Sequence, residues 1–149
     1  MAHLPEQVIL SNMCMITNGS KILVQDRVKS WVGVAFPGGH VEKHESIVDS
    51  TIREIKEETG LNISNLKLCG IKQWFKDDIR YVCFLFKTNT FNGELISNDE
   101  GKNFWIERSE LPNYKLASNF DIMLEVFEKD EFIEHYHERM YDDSKDILK

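Results

Sequence analysis

Long hydrophobic runs are missing from the 149 residues of the sequence, and no window approaches the roughly 18 uninterrupted apolar residues of a membrane-spanning helix. The first ten residues, MAHLPEQVIL, lack a basic segment followed by an apolar one, so the sequence predicts no signal peptide. Positive charge is not in excess, because 25 Asp and Glu residues outnumber 18 Lys and Arg residues and give a net charge of -7. We therefore expect no membrane partner and no stable nucleic-acid complex.

Cysteine is scarce, and the three cysteines, Cys14, Cys69 and Cys83, form no CxxC pair. Each lies in an apolar stretch, and the five histidines have no zinc-ligand spacing relative to them. The pattern predicts buried free thiols in a reducing, cytoplasmic environment, and it argues against a disulfide framework or a zinc site.

Apolar side chains are abundant enough to form a core, at 42% of residues, with no internal repeat and no linker rich in Pro, Gly or Ser. We expect one domain, residues 1–149. Strand patterns cover residues 8–17, 21–28, 66–75, 79–87 and 103–106, with turns at Asn18-Gly19 and Asp77-Asp78. Helix patterns cover residues 46–59 and 116 to about 139. This order predicts an α/β (α+β) fold in which a mixed β-sheet is sandwiched between helices, α/β/α.

The helix predicted over residues 46–59 has sequence signals at both ends. Ser46 and Asp49 form a capping box, and Gly60 suits the position just after the last helical residue. The apolar stripe that would pack on the sheet consists of Val48, Ile52 and Ile55.

Three glutamates, Glu54, Glu57 and Glu58, fall on one face of this helix, because they are spaced three and four residues apart. Like charges at this spacing cost roughly 0.2–0.5 kcal/mol per pair, so a positive partner is expected. Arg53 could pair with Glu57 or Glu45, and a divalent cation would offset more of the repulsion, since Mg²⁺ prefers carboxylate oxygens. The alternative is a solvated acidic face.

The wider pattern favours the metal site. Gly39 is followed after five residues by Glu45, and after seven more residues by REIKEETGL at residues 53–61. This segment resembles, at every fixed position, the signature of the Nudix hydrolases: G, five residues, E, seven residues, R-E, an aliphatic residue, any residue, E-E, any residue, G and an aliphatic residue. The chain length and the strand-loop-helix order also resemble a single Nudix domain, most closely a MutT-type nucleoside triphosphate diphosphatase.

The resemblance implies a site for Mg²⁺ or Mn²⁺. In the family the glutamates of this motif bind the ion, which implies Glu57 and Glu58 as ligands and Glu54 as a ligand or as the base towards water. The backbone carbonyl of Gly39, or of neighbouring Gly38, resembles the family's additional oxygen ligand.

The same resemblance implies further site residues. Arg53 and Glu45 resemble the pair that braces the loop and orients the glutamates. Glu100 resembles a further acid in a loop after the later strands, and its alternative is an exposed turn. Arg27 resembles an arginine that contacts substrate phosphate, or is a surface arginine. Asn119, expected just inside the last helix, falls near a position that recognises an oxidised base, or is an ordinary polar residue at a helix N-terminus.

Other side chains carry weaker expectations. His44 stands where many relatives have glycine, and it either reaches phosphate or lies at the surface. His135 and His137, two residues apart on the predicted last helix, would not share a face and are expected at the surface. Aromatic residues near the expected cleft could stack on a nucleobase or belong to the core: Trp31, Phe36, Trp74, Phe75 and Tyr81.

The function implied by the resemblance is Mg²⁺-dependent hydrolysis of a nucleoside diphosphate linked to another group. We expect attack at the β phosphorus of a nucleoside triphosphate, oxidised or ordinary, giving monophosphate and pyrophosphate, with Glu54 or Glu100 taking the proton from water. Alternative substrates are ADP-ribose, a dinucleoside polyphosphate or capped RNA. An alternative of another class is a domain that binds a nucleotide without hydrolysing it. We expect a cytoplasmic monomer or homodimer.

Overall fold

The computed structural model describes residues 2–140 and 143–149, with the backbone alone described at Met140. Its helices are Ile47–Thr59 (α1) and Phe120–Glu128 (α2), and a 3₁₀ helix covers Arg108–Asn113. The strands are Val8–Asn18 (β1), Lys21–Arg27 (β2), Gly33–Ala35 (β3), Gly38–His40 (β4), Leu61–Ser64 (β5), Lys67–Lys76 (β6), Ile79–Thr88 (β7), Thr90–Gly93 (β8), Gly101–Glu107 (β9), Glu134–Met140 (β10) and Asp143–Leu148 (β11). No helix within these described ranges is long and apolar enough to cross a membrane.

The long strand β1 organises the main sheet. It pairs in parallel with β7 along almost its whole length, and β6, β10 and β11 follow on that side. On its other side β1 pairs with β4 and, through the turn at Asn18-Gly19, with β2, which carries β3 and β9 on its two edges. The predicted mixed sheet with helices is therefore confirmed.

The two faces of the sheet are covered by different apolar clusters. One cluster joins α1 to β1, β2, β5 and β7 through Cys14, Ile16, Leu23, Ile55, Leu61, Ile63 and Phe86. The other joins α2 to β1, β2, β3, β7 and β9, and includes Phe36, Leu85, Ile106, Phe120 and Phe127. Burial of these apolar side chains is the main force that holds the layers together.

Helix α1 begins and ends as its sequence predicts. The Asp49 amide donates to the Ser46 side-chain oxygen at 3.2 Å, and Gly60 has φ 81°, the left-handed conformation that ends many helices. The buried face is more polar than expected, because Ser50 is fully buried while Val48 is 43% exposed. The predicted Val48 contact with the sheet is wrong, because Ser50 occupies that face and its hydroxyl donates to the Ile47 carbonyl.

The helix predicted to run from residue 116 to about 139 is much shorter. Only Phe120–Glu128 is helical, and residues 134–148 contain β10 and β11. The open edge of β6 accounts for the difference, since β10 pairs with it in parallel from Glu134↔Ile71 to His137↔Trp74. On a strand, residues two apart share a face, so the predicted surface location of His135 is wrong and its side chain is fully buried.

Candidate active site

Strand β4 brings Gly39 against the carboxylate of Glu54. A Cβ atom built on Gly39 would lie 2.6 Å or less from all three atoms of the Glu54 carboxyl group, so only glycine fits without movement. The Gly39 amide donates to the Asn12 side-chain oxygen at 3.1 Å, and the Asn12 amide group donates to Ser50 at 3.1 Å. Buried contacts from β1 and α1 therefore fix the backbone at Gly39.

Arg53 joins the acidic residues of the site. Its guanidinium donates twice to Glu45, at 2.7 and 3.0 Å, and once each to Glu54 at 3.1 Å and Glu57 at 3.2 Å. A further bond to the carbonyl of His40, at 3.0 Å, ties the same guanidinium to β4. The hydrogen bonds from Arg53 lower the pKa of Glu45, and those to Glu45 raise the pKa of Arg53.

Two of the glutamates differ strongly in environment. The side chain of Glu54 is 13% exposed, whereas that of Glu57 is 58% exposed. Burial raises the pKa of Glu54, and the negative charges of Glu57 and Glu58 act in the same direction, while Arg53 opposes them. Glu57 is free to turn towards solvent, and Glu54 is confined between Arg53 and Gly39.

Side-chain amides, the buried Gln25 and the exposed Asn98, hold the carboxylate of Glu58. Its Oε2 accepts from Gln25 at 3.2 Å and from Asn98 at 3.3 Å. Gln25 is fully buried and also donates to Asn103, whose own amide donates to the backbone carbonyls of Glu58 at 2.7 Å and Ile96 at 2.8 Å. Sequence reasoning missed these amides, and the one available signal was Gln25 directly after an apolar run in a strand.

The donor chemistry of the helix fits a divalent cation, because carboxylate and backbone carbonyl oxygens are the ligands that hard cations prefer. Within residues 2–140 and 143–149, however, no three acidic, histidine or cysteine side chains are grouped closely enough to hold an ion. Glu54 and Glu57 instead point to Arg53. For the glutamates to bind one ion together, Glu57 must turn away from Arg53. Glu57 is exposed, so this movement would not disturb the core.

A pocket of about 320 Å³ lies next to β4, and Gly38 and Gly39 are part of its wall. Three of the five candidate aromatic residues line it: Trp31 meets Trp74 edge to face at 5.7 Å, and Trp74 stacks on Tyr81 at 5.2 Å. Phe36 lies in the core instead, and Phe75 packs under Arg80. Strand β4 is therefore shared by the two features, because Gly39 lines the aromatic pocket and also lies against the carboxyl group of Glu54.

Arg27 and Asn119 lie near this pocket in different ways. Arg27 lines it, with Nε donating to the Ser30 carbonyl at 3.2 Å. Asn119 precedes α2 with φ 64°, so its predicted place inside the helix is wrong by one residue. Its neighbours Ser118 and Phe120 line the pocket, whereas the Asn119 side chain does not.

The loop that carries Glu100 reaches the site through another residue. Asn98 contacts Glu58, whereas the Glu100 carboxylate lies 3.9 Å from Lys29. His44 is exposed in the segment between β4 and α1, with φ 63°, a left-handed conformation that glycine adopts more readily than histidine.

Known proteins share this sequence pattern and fold. The model of the NUDIX domain matches residues 10–127. An uncharacterised Nudix hydrolase of Bacillus subtilis is 30% identical over 128 residues, which cover 82% of this chain and 80% of the relative. The structure of a MutT protein from Bacillus halodurans superposes with a TM-score of 0.79 at 24% identity, covering 95% of this chain and 97% of that one.

Shorter matches include proteins with named substrates. An ADP-ribose pyrophosphatase of Methanocaldococcus jannaschii is 37% identical over 70 residues, covering 46% of this chain and 41% of the relative. A putative 8-oxo-dGTP diphosphatase of Bacillus subtilis is 47% identical over 38 residues, covering 26% of this chain and 24% of the relative.

Proposed function

Because the chain belongs to the Nudix family of hydrolases, which act on nucleoside diphosphates linked to another group, we propose that it hydrolyses a nucleoside triphosphate, oxidised or ordinary, to monophosphate and pyrophosphate. The observation that carries this proposal is the position of β4. Gly39 lies against the Glu54 carboxyl group and also lines the aromatic pocket. A nucleotide with its base in the pocket would therefore have its phosphates within reach of the acidic face of α1.

The proposed metal ligands are Glu57, Glu58 and Glu54, with a carbonyl oxygen of Gly39. Mg²⁺, or Mn²⁺ in its place, would neutralise charge on the phosphates and lower the pKa of the attacking water. Arg53 positions these carboxylates, because its guanidinium contacts two of them directly.

The remaining roles fall to the chain's own acids and bases. Glu45 is proposed to hold Arg53 in place through its two hydrogen bonds. Glu54 is the proposed acceptor of the proton from water, and its raised pKa, due mainly to burial, supports that role. Glu100 is the second candidate acceptor, Arg27 is proposed to contact a phosphate, and Asn119 is proposed to contact the base.

The triphosphate is favoured by the likeness to a putative 8-oxo-dGTP diphosphatase and by the MutT-type fold. The longer match to an ADP-ribose pyrophosphatase keeps ADP-ribose as a second candidate substrate with the same chemistry. A domain that binds nucleotide without hydrolysing it has no need of the full glutamate set together with Arg53, which argues against that alternative.

The proposal extends to the organisation of the chain. We propose a single domain over residues 1–149, since β10 joins the same sheet as β1. The free cysteines support a reducing, cytoplasmic compartment. The small nucleotide is the proposed partner, and the protein is proposed to be a monomer or a homodimer.

Replacing Glu57 by Gln tests the proposed function. The amide oxygen of Gln can still accept from Arg53, so the fold should be kept, while the loss of a charged metal ligand should lower kcat by about 100-fold or more. Pyrophosphate release from nucleoside triphosphates with Mg²⁺ and with Mn²⁺ is the measurement, alongside thermal unfolding.

The matched control is Glu110→Gln, which removes an exposed carboxylate from the 3₁₀ helix and should behave as wild type. Turnover of the Glu57→Gln variant at the wild-type rate would remove Glu57 from the metal site. Absence of triphosphate hydrolysis by the wild-type protein would overturn the proposed reaction.

A further inference from the structure

Lys72 lies at the floor of the aromatic pocket and is 4% exposed. Its Nζ is 5.3 Å from the ring centroid of Trp31 and 5.3 Å from that of Trp74. Strand β6 places it between Cys83 on β7 and His135 on β10. The Lys72 side chain is thus flanked by two aromatic rings and by residues of two neighbouring strands, and it lines the pocket.

The amine of Lys72 has no oxygen partner among the residues that the structure describes, because no salt bridge or side-chain hydrogen bond involves it. Asp146 is the acid whose charge affects it, but Oδ1 of Asp146 already contacts His135 at 2.7 Å and His137 at 2.8 Å. Burial lowers the pKa of Lys72. Asp146 is therefore engaged by the two histidines and makes no salt bridge with Lys72.

Contact with the rings of Trp31 and Trp74 stabilises the Lys72 amine only in part. A cation over an aromatic face is attracted to it, but an amine has up to three N–H donors that a ring face does not satisfy as an oxygen does. Because Lys72 lines the pocket, a ligand oxygen that enters the pocket would accept a charge-assisted hydrogen bond from the amine.

We propose that Lys72 determines base specificity, donating a hydrogen bond to the exocyclic oxygen of a 6-oxopurine that stacks against Trp31, Trp74 and Tyr81. The proposal rests on the proposed function, because it places the base of the nucleotide in this pocket. The 6-oxo edge of such a purine presents two acceptors, O6 and N7, to an amine. Adenine presents an amino group beside N7, and two donors facing each other are unfavourable. The pocket should therefore prefer 6-oxopurines to adenine.

The sharpest probes are inosine and adenosine nucleotides, because the exocyclic group at position 6 is an oxygen in one base and an amino group in the other. The wild-type protein should hydrolyse inosine triphosphate with a kcat/KM about 10-fold or more above that of ATP, the difference expected for one good hydrogen bond. Lys72→Met should lower kcat/KM for inosine triphosphate by about 10- to 100-fold and leave that for ATP within about 3-fold.

Two further variants separate recognition from packing. Lys72→Gln keeps an N–H donor and should restore part of the preference for the oxo base. Lys67→Met removes an exposed lysine from the same strand, outside the pocket, and should leave both substrates unchanged. Equal loss on both substrates in Lys72→Met would mean that the lysine only supports the fold, and would overturn the proposal.

The wild-type protein tests the idea even if the variants do not fold. A wild-type kcat/KM that is equal for the two triphosphates, or higher for ATP, overturns the proposal. If neither triphosphate is hydrolysed, the proposed function fails, and titration with inosine and adenosine monophosphates then tests the pocket alone. Trp31 and Trp74 report binding by fluorescence, and the proposal requires tighter binding of the inosine nucleotide. Equal binding, or no binding of either, overturns it.

Discussion

Replacing Gly39 by Ala tests whether the Glu54 carboxylate must stay where β4 holds it. The added Cβ would lie 2.6 Å or less from every atom of that carboxyl group, whereas ordinary contacts begin near 3.4 Å. The carboxylate would therefore retreat by roughly 1 Å, the scale of misplacement that costs about 100-fold in rate. At 1.36 kcal/mol per factor of ten, the transition-state barrier should rise by about 2.7 kcal/mol.

The stability of the Gly39→Ala variant should change little. The backbone at Gly39 does not need a positive φ, and alanine gives the unfolded chain less freedom than glycine, which stabilises by about 0.4–1 kcal/mol. The clash falls on the end of a side chain and not on backbone, so rotation can relieve it at the expense of the Arg53 contact. We expect lower kcat/KM with a nearly unchanged Tm.

Gly38→Ala is the informative comparison for this experiment. A Cβ there would overlap the backbone carbonyl of Asn12, so it should disrupt the pairing of β1 with β4 and lower Tm strongly. Parallel measurement of kcat/KM and Tm separates the two glycines. A Gly39→Ala variant with wild-type kcat/KM would refute the argument that the position of Glu54 against β4 matters for the reaction.

The remaining predictions concern stability. Asn103→Ala leaves two backbone carbonyls without their donor and should lower the free energy of unfolding by about 2–4 kcal/mol, measured by urea unfolding; a change below about 0.5 kcal/mol would contradict the buried amide network. Burial, with the neighbouring positive charge of Lys72, lowers the pKa of His135, so the unfolded state binds more protons than the folded state. The free energy of unfolding should therefore fall as pH drops below about 6.5, by at most about 1.4 kcal/mol per pH unit. Burial alone would raise the pKa of Asp146, but hydrogen bonds from His135 and His137 lower it overall. The contribution of ionised Asp146 to the free energy of unfolding is therefore lost only at more acidic pH, below about 3.8. The His135→Gln variant should lose less stability than the wild type as pH drops below about 6.5. An equal dependence of the free energy of unfolding on pH in variant and wild type would contradict the role of His135.

The features that could be predicted from the sequence depend on neighbours along the chain. The hydroxyl of Ser46, the conformational freedom of Gly60 and the spacing of Glu54, Glu57 and Glu58 act within one helix. The turn at Asp77-Asp78 is equally local, and the structure forms it with φ of 52° and 62°. For such elements a single segment contains the physical cause of its structure.

The features that could not be predicted depend on distant segments. Residues 134–140, EHYHERM, are mostly polar and show no alternation of apolar and polar side chains. Only the edge of β6, about 60 residues earlier, determines that they form a strand. Nothing adjacent to Lys72 predicts its burial, since Trp31 reaches it from another part of the chain. The same holds for Gln25 and Asn103, which meet across two strands.

The parallel pairing of β10 with β6 also has a consequence for the order in which the protein folds. β6 is synthesised long before β10, and the intervening chain must close a loop of about 60 residues before the two strands meet, at an entropic cost that slows the step. His135 and Asp146 come together only when that step is complete. During synthesis, α1 and β4 can form first, and the strand that lies beside Lys72, β10, is added last.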